Sequence, residues 1–426
     1  MFDRVYRQRL EADLARWETD GVITPAVRIA ISGTLPSLAS SVSIPVVVGI
    51  MGGLLIAAAF LAFIAAHWTD LARLLRFAIV VAGIVGANGI GAWFARTGKP
   101  VLADLCASVG AIIFGAGIAL VGQMYHLGGD FAGGMMLWAV GALIAAALTG
   151  SRGALAVALS AGSIWSVIRV VDDYSIYGGP HLPFVVFWFI TAGLALAWNS
   201  RVAFHLVAVA IFPWWITAAA QITDISHQQA LFFLVLGNGA ALLLGGGLAL
   251  ATAPLQRMRD AGTLLSIYGA FALAGIAILM VETASSHSHA TAIDQPLWVI
   301  SCGLAGAILA FAAAAITRQA STFITGVAIG LILLVAAIWT PRDVEQPWLI
   351  YFIGLCVTLC LVVAGMLDGT RPRVVAGWLG IAGVIVAITW TVKGSLLYRS
   401  VFLAIAGAIA IVLAIALNRL LPRADK

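Results

Sequence analysis

Between about residue 44 and residue 418 the chain is a succession of apolar runs, each about 20 residues long and none alternating as a half-buried strand would. That length suits a helix crossing the hydrocarbon layer, whereas a barrel strand would be about half as long and alternate along its length. Lipid offers no water to backbone N–H and C=O groups, so a spanning segment must satisfy them internally, as a helix does. Composition points the same way: 62% of the residues are apolar and 10% charged, against roughly a quarter charged in a soluble domain. The expected fold is all-α, a polytopic transmembrane helical bundle of about 14 spans.

The expected spans are 44–67, 75–95, 101–124, 134–150, 153–171, 182–198, 202–221, 228–250, 262–281, 296–316, 322–340, 347–367, 374–392 and 399–418. Lys and Arg collect on the cytoplasmic side of membrane proteins. With the N-terminus inside, Arg96, Lys99, Arg152, Arg201, Arg257, Arg259, Arg318, Arg371 and Arg373 all fall on inner connections, and Arg419, Arg423 and Lys426 on an inner tail. The outer side holds fewer: Arg73, Arg76, Arg169, Arg342, Lys393 and Arg399. Both termini are therefore expected in the cytoplasm, and the net charge of +5 is explained by orientation, without nucleic acid. Two sets of seven spans would have opposite orientations, as in inverted-repeat carriers. A faint echo joins Trp165–Asp173 to Trp339–Glu345, each running from Trp through Arg to acidic residues.

Residues 1–40 form the expected cytoplasmic segment, 41–420 the membrane domain and 421–426 a basic tail. Tyr6, Leu10, Leu14 and Trp17 recur at helical spacing and make one apolar stripe among charged neighbours. Asp20-Gly21 should break that helix, and Thr24-Pro25 should cap and open a second. An amphipathic hairpin of this kind suits the headgroup surface, or the protein's own inner connections. The start of the chain lacks the apolar core of a cleavable signal, so the first span is expected to direct insertion. The four cysteines (Cys106, Cys302, Cys356 and Cys360) lie in apolar runs and read as packing residues.

Charge is absent from the middle of every expected span, which disfavours an ion or proton path. Asp104 and Arg169 come nearest, about one turn in from a helix end. Asn88, Asn238 and His205 are the polar side chains placed deeper, and they read as contacts between helices. The densest polar constellation is GQMYHLGGDF at the outer end of the third span, with Gln123, Tyr125, His126 and Asp130. A His–carboxylate pair beside an amide and a phenol suits acid–base work or headgroup binding; the alternative is a polar loop capping two helix ends. His287 and His289 flank Ser288 in an outer connection without any defensible metal-site spacing. No metal or other cofactor is expected. HExxH, GxxxxGK[ST] and GxSxG are absent from the sequence.

The pattern Leu14, Trp17, Gly21, Ile23, followed by Gln123-Met124-Tyr125-His126, Gly129-Asp130 and Trp138, resembles a family of bacterial polytopic membrane proteins catalogued as domain of unknown function 2157. The resemblance covers about the first 150 residues and implies a multi-pass protein of the bacterial inner membrane with a cytosolic helical N-terminus. It implies no activity or catalytic residue. The reading favoured by the sequence is therefore transport or lipid handling without an energy-coupling domain of its own, with a neutral or amphiphilic substrate. One alternative is a scaffold or accessory subunit that docks a membrane-protein partner through the Tyr6–Trp17 stripe. Another is a membrane enzyme acting on lipid-linked substrates at the outer leaflet through His126 and Asp130. The expected contacts are the bilayer and a membrane-protein partner.

Overall fold

The computed structural model describes residues 13–34, 72–124, 130–172, 180–223, 229–283, 297–338 and 348–391, with the isolated positions 10, 51, 52, 55 and 59. Among these residues thirteen complete helices follow one another: α1 Pro25–Thr34, α2 Arg73–Arg96, α3 Pro100–Met124, α4 Phe131–Thr149, α5 Arg152–Asp172, α6 Leu182–Trp198 and α7 Arg201–Ile222. The second half continues as α8 Gln229–Ala251, α9 Gln256–Thr283, α10 Leu297–Thr317, α11 Ala320–Ile338, α12 Trp348–Asp368 and α13 Arg371–Thr391. Residues 13–19 are also helical. Ten helices are long and apolar enough to cross a membrane, and Leu182–Trp198 and Ala320–Val335 are shorter apolar helices. The chain is a multi-pass helical membrane protein.

The expected spans from 75–95 to 374–392 each coincide with one of α2–α13. The largest displacement is in α9, which begins at Gln256 where the apolar run starts near residue 262. Its extra turn is polar, with the Gln256 amide donating to Asp260 Oδ1 at 2.9 Å, so it continues the helix beyond the apolar stretch. The expected spans 44–67 and 399–418, and Trp339–Glu345 of the internal echo, lie outside the described residues, apart from helical backbone at positions 51, 52, 55 and 59.

The helices are tied in pairs by very short turns at one end of the bundle. After α2, Gly98 takes φ +74°. The Lys99 N–H then reaches back to the Phe94 carbonyl at 2.9 Å, and Pro100 opens α3. The α12–α13 turn repeats this: Gly369 has φ +68°, and the Thr370 N–H bonds the Gly365 carbonyl at 2.9 Å. A left-handed residue reverses the chain and satisfies the last helical carbonyls, which glycine does without a Cβ penalty. Gly150, Asn199 and Arg318 hold the same left-handed conformation in the turns α4–α5, α6–α7 and α10–α11. Ser151 and Ser200 then cap the following helices, their hydroxyls accepting from Ala154 N–H at 3.0 Å and Ala203 N–H at 3.5 Å. Residues of the short-turn end include Lys99, Arg152, Arg201, Arg318 and Arg371.

The N-terminal break follows the same chemistry. Gly21 is left-handed with φ +71°, the Val22 N–H bonds the Trp17 carbonyl at 2.9 Å, and the Thr24 hydroxyl accepts from Val27 N–H at 3.4 Å at the start of α1. Arg28 of α1 pairs with Glu18 across that turn. Leu14 is buried, whereas Trp17 is exposed, and Tyr6 lies outside the described residues.

Packing in the bundle relies on small residues and indole hydrogen bonds. A Cβ on Gly245 of α8 would lie 1.9 Å from the Gly306 carbonyl oxygen of α10, and one on Gly269 of α9 would lie 2.7 Å from the Leu244 backbone. Backbones that approach this closely gain dispersion contacts, the main attraction between helices where lipid removes the usual hydrophobic drive. Indole N–H groups bridge helices too: Trp138 to the Ala111 carbonyl at 2.9 Å, and Trp188 to the Val207 carbonyl at 2.8 Å. Two principal cores result, one through α3–α7 around Ala142, Leu155, Phe184 and Val207, the other through α8–α13 around Leu244, Leu273, Ile329 and Leu361. Leu74, Leu148, Leu297 and Trp390 project from the outside of the bundle and are among its most exposed residues. Such an apolar exterior suits lipid and would be an aggregation surface in water.

Candidate functional site

Three hairpin turns converge at the short-turn end of the second half. The ends of α8, α10 and α12 and the starts of α9, α11 and α13 border an open cavity of about 570 Å³, lined among others by Thr252, Thr263, Thr317, Ser321, Thr322, Asp368, Thr370 and Arg373. A volume of this size is ordinary for a small-molecule site. Its lining is rich in hydroxyls, unlike the surrounding helices.

Arg373 dominates the chemistry. It sits in the first turn of α13, where the helix dipole disfavours a cation, and Asp368 ends α12, where the dipole disfavours an anion. The two side chains pair, through Nη1 and Oδ2. Nη2 donates to Ser266 Oγ of α9 at 2.7 Å, and Ser266 in turn donates to the Thr263 carbonyl at 2.7 Å. Arg373 is only 4% exposed, yet its Nε has no hydrogen-bond partner. The same is true of the Thr370 hydroxyl, although Thr370 stands at the position where a threonine ordinarily caps a helix. Two orphaned polar atoms therefore belong to residues lining one cavity. A buried unpartnered donor costs about 1–3 kcal/mol, so their concentration here calls for an explanation.

The residues singled out by sequence are distributed elsewhere. Gln123 lies exposed at the end of α3, while Tyr125 and His126 lie outside the described residues. Asp130 precedes α4 and accepts a hydrogen bond from Arg169 of α5 at 2.7 Å. The backbone N–H of Gly133 and then the Arg169 guanidinium hold its carboxyl below the usual carboxylate range. A carboxylate held in this way is a poor proton donor at neutral pH.

Beside that pair is an aromatic group the sequence reading did not isolate. The His181 ring lies edge-on to Trp165 at 4.5 Å, its Nδ1 is 3.3 Å from Ser166 Oγ, and its carbonyl accepts from the Trp214 indole at 2.9 Å. Burial, and then Arg169, push the imidazole pKa down.

Asn88 donates to the Ile84 carbonyl of its own helix at 2.9 Å and packs over Gly110, where a Cβ would meet its amide nitrogen at 2.7 Å. Asn238 does the same in α8: its amide donates to the Leu234 carbonyl at 2.9 Å, and a Cβ on Gly303 would meet its Oδ1 at 2.0 Å. His205 Nδ1 lies 3.0 Å from the Tyr268 hydroxyl of α9. Asp104 accepts from Gly153 N–H at 3.3 Å, placing a carboxylate at the N-terminus of α5. His287 and His289 lie outside the described residues.

The sequence reading counted Arg373 among the basic inner-loop residues and so missed the cavity. A signal was present: Asp368 and Arg373 flank Gly369-Thr370, each at the helix end that its charge disfavours.

Residues 15–155 match the model of a family described as "Predicted membrane protein (DUF2157)". No curated protein and no solved structure matches the chain. The family match ends at the start of α5, so the cavity around Arg373 lies wholly outside it.

Proposed function

We propose that this is a transport or lipid-handling protein of the bacterial inner membrane, without an energy-coupling domain of its own, that takes up its ligand at the short-turn end. The observation that carries the reading is the hydroxyl-rich cavity of about 570 Å³ with Arg373 buried in its wall. A scaffold that binds nothing would gain by filling this space with apolar side chains, since a buried ion pair is often no more stable than a hydrophobic replacement.

In this reading fourteen spans place both termini in the cytoplasm, and the basic short turns make the cavity end the inner face. Residues 1–40 lie against that face as an amphipathic hairpin, residues 41–420 form the membrane domain, and residues 421–426 are a basic tail. The charge-free middle of the helices favours a neutral or amphiphilic ligand over an ion crossing alone. The outer-leaflet enzyme alternative draws less support, because Asp130 is engaged with Arg169. Docking of a membrane-protein partner through the exposed Trp17, with Tyr6 and Leu10, remains compatible with uptake, whereas Leu14 is buried and not free for it.

Vesicle labelling tests the reading. In a variant whose four native cysteines are replaced, a cysteine at Thr252 should react with a membrane-impermeant maleimide in inside-out vesicles and not in right-side-out ones. A cysteine there that is silent from both sides, or reached from the outside alone, would refute an inner uptake site.

A further inference from the structure

Resting on the uptake reading, we propose that the cavity recognises a phosphate-class oxyanion, held by the Arg373 guanidinium between the first turns of α11 and α13. Arg373 is buried and has already committed Nη1 to Asp368 and Nη2 to Ser266, which fixes the guanidinium plane. Its Nε–H is left without a partner, as is the hydroxyl of Thr370 three residues earlier. A guanidinium presents its donors in a rigid planar fork that matches phosphate, so an unpartnered donor on a fixed fork favours an oxyanion by its geometry.

The positive ends of two helices, α11 from Ala320 and α13 from Arg371, meet at the same cavity, whose wall includes Ser321 and Thr322 of α11's first turn. Helix N-termini favour anions through their free N–H groups and dipole. Hydroxyls add donors and acceptors that suit a phosphate ester over a simple halide.

Asp368 lines the cavity as well, and it sets the balance. One carboxylate against one guanidinium leaves no net side-chain charge, and the C-terminal ends of α8, α10 and α12 offset the N-terminal ends at the same cavity, so the unpartnered Nε–H and the hydroxyls supply the attraction and binding is weak enough to be reversible. This arrangement also separates the proposal from a cation site. Removing the Asp368 charge should tighten an oxyanion and loosen a cation. The cavity is larger than a bare phosphate needs, which leaves room for an ester substituent, either that of a soluble phosphate or that of a phospholipid headgroup.

The test uses the full chain in nanodiscs, with a cysteine at Thr252 whose reaction with maleimide reports occupancy. Inorganic phosphate, against sodium chloride of equal ionic strength, is the soluble probe. Phosphatidic acid in phosphatidylcholine nanodiscs, against phosphatidylcholine alone, is the lipid probe. Protection by inorganic phosphate supports the proposal with a soluble source, and protection by phosphatidic acid alone supports it with a headgroup source. In either case Asp368→Asn should tighten binding about tenfold, while Arg373→Gln should weaken it by about tenfold or more, as expected for one charge-assisted contact. Thr370→Val, which leaves the ion pair intact, should weaken binding severalfold and serves if Arg373→Gln does not fold. A reactive Thr252 cysteine that neither probe protects overturns the oxyanion proposal and leaves the uptake reading standing. Weaker phosphate binding in Asp368→Asn overturns it in favour of a cation. A cysteine that never reacts removes the uptake reading and this proposal together.

Discussion

Replacing Arg373 by methionine removes one partner of a buried pair and leaves Asp368 without its counter-ion. Taking away one member of such a pair costs about 3–5 kcal/mol, because the remaining charge stays in a poorly solvating environment. Two features of the site place this case near the lower end. Asp368 retains 16% side-chain exposure, so water reaches some of the carboxylate, and Ser266 keeps its hydrogen bond to the Thr263 carbonyl when Arg373 is gone. Working against that, Asp368 ends α12, where the helix dipole adds to its cost. The expected loss is about 3 kcal/mol. Replacing both residues, Arg373→Met with Asp368→Leu, removes the orphaned charge and should return the protein to within about 1 kcal/mol of the parent. The assay is reversible unfolding in mixed micelles, or steric trapping in bicelles, run as a double-mutant cycle. A single substitution costing under about 1 kcal/mol, or a double variant no more stable than Arg373→Met, would show that the two charges are not coupled as the structure implies.

Three further expectations follow from the packing and from the far end of the bundle. Gly245→Ala places a methyl against the Gly306 carbonyl oxygen and should cost several kcal/mol of unfolding free energy, about 1–3 for overpacking and more if α8 and α10 separate. The neighbouring Gly246→Ala meets nothing within 4 Å and should be neutral or stabilising by up to about 1 kcal/mol. Trp138→Phe keeps one aromatic ring but loses the bond to the Ala111 carbonyl and part of the indole packing on Gly115, so thermal unfolding should show a loss of about 1 kcal/mol or more. His181 has its pKa lowered in the folded state, so the unfolded chain binds the proton more readily; its stabilising contribution is present above the unfolded value near 6.5 and falls as the pH drops below it. The unfolding midpoint should therefore fall between pH 7 and pH 5 by more in the parent than in His181→Gln, and equal slopes in the two would contradict the burial of the imidazole.

What could be read from the sequence depended on how local the physics was. Runs of about 20 apolar residues report the thickness of lipid directly, which is why α2–α13 fall where expected. Local punctuation was equally readable at Asp20-Gly21 and Thr24-Pro25, where a left-handed glycine and a capping threonine act within a few positions. Lateral neighbours were beyond reach. Asn88 and Asn238 were visible as polar residues in apolar helices, yet nothing in the sequence paired them with Gly110 and Gly303. Asp130 is held by a residue 39 positions away, and Arg373 by Ser266, 107 positions away. The positive-inside rule even masks the cavity, because orientation alone is a sufficient reason for a basic residue at Arg373.

The short turns also restrict how the bundle can move. Helices joined across two to four residues cannot separate at that end, so each pair behaves as a clothes-peg closed at its spring. Widening of the inner face must therefore draw whole pairs away from each other, along the seams where α8 meets α10, α11 meets α12 and α9 meets α13. The Arg373 cavity lies where those seams run together. Its mouth is thus the place where tilting of intact pairs becomes a change in aperture, while the spring ends themselves stay shut.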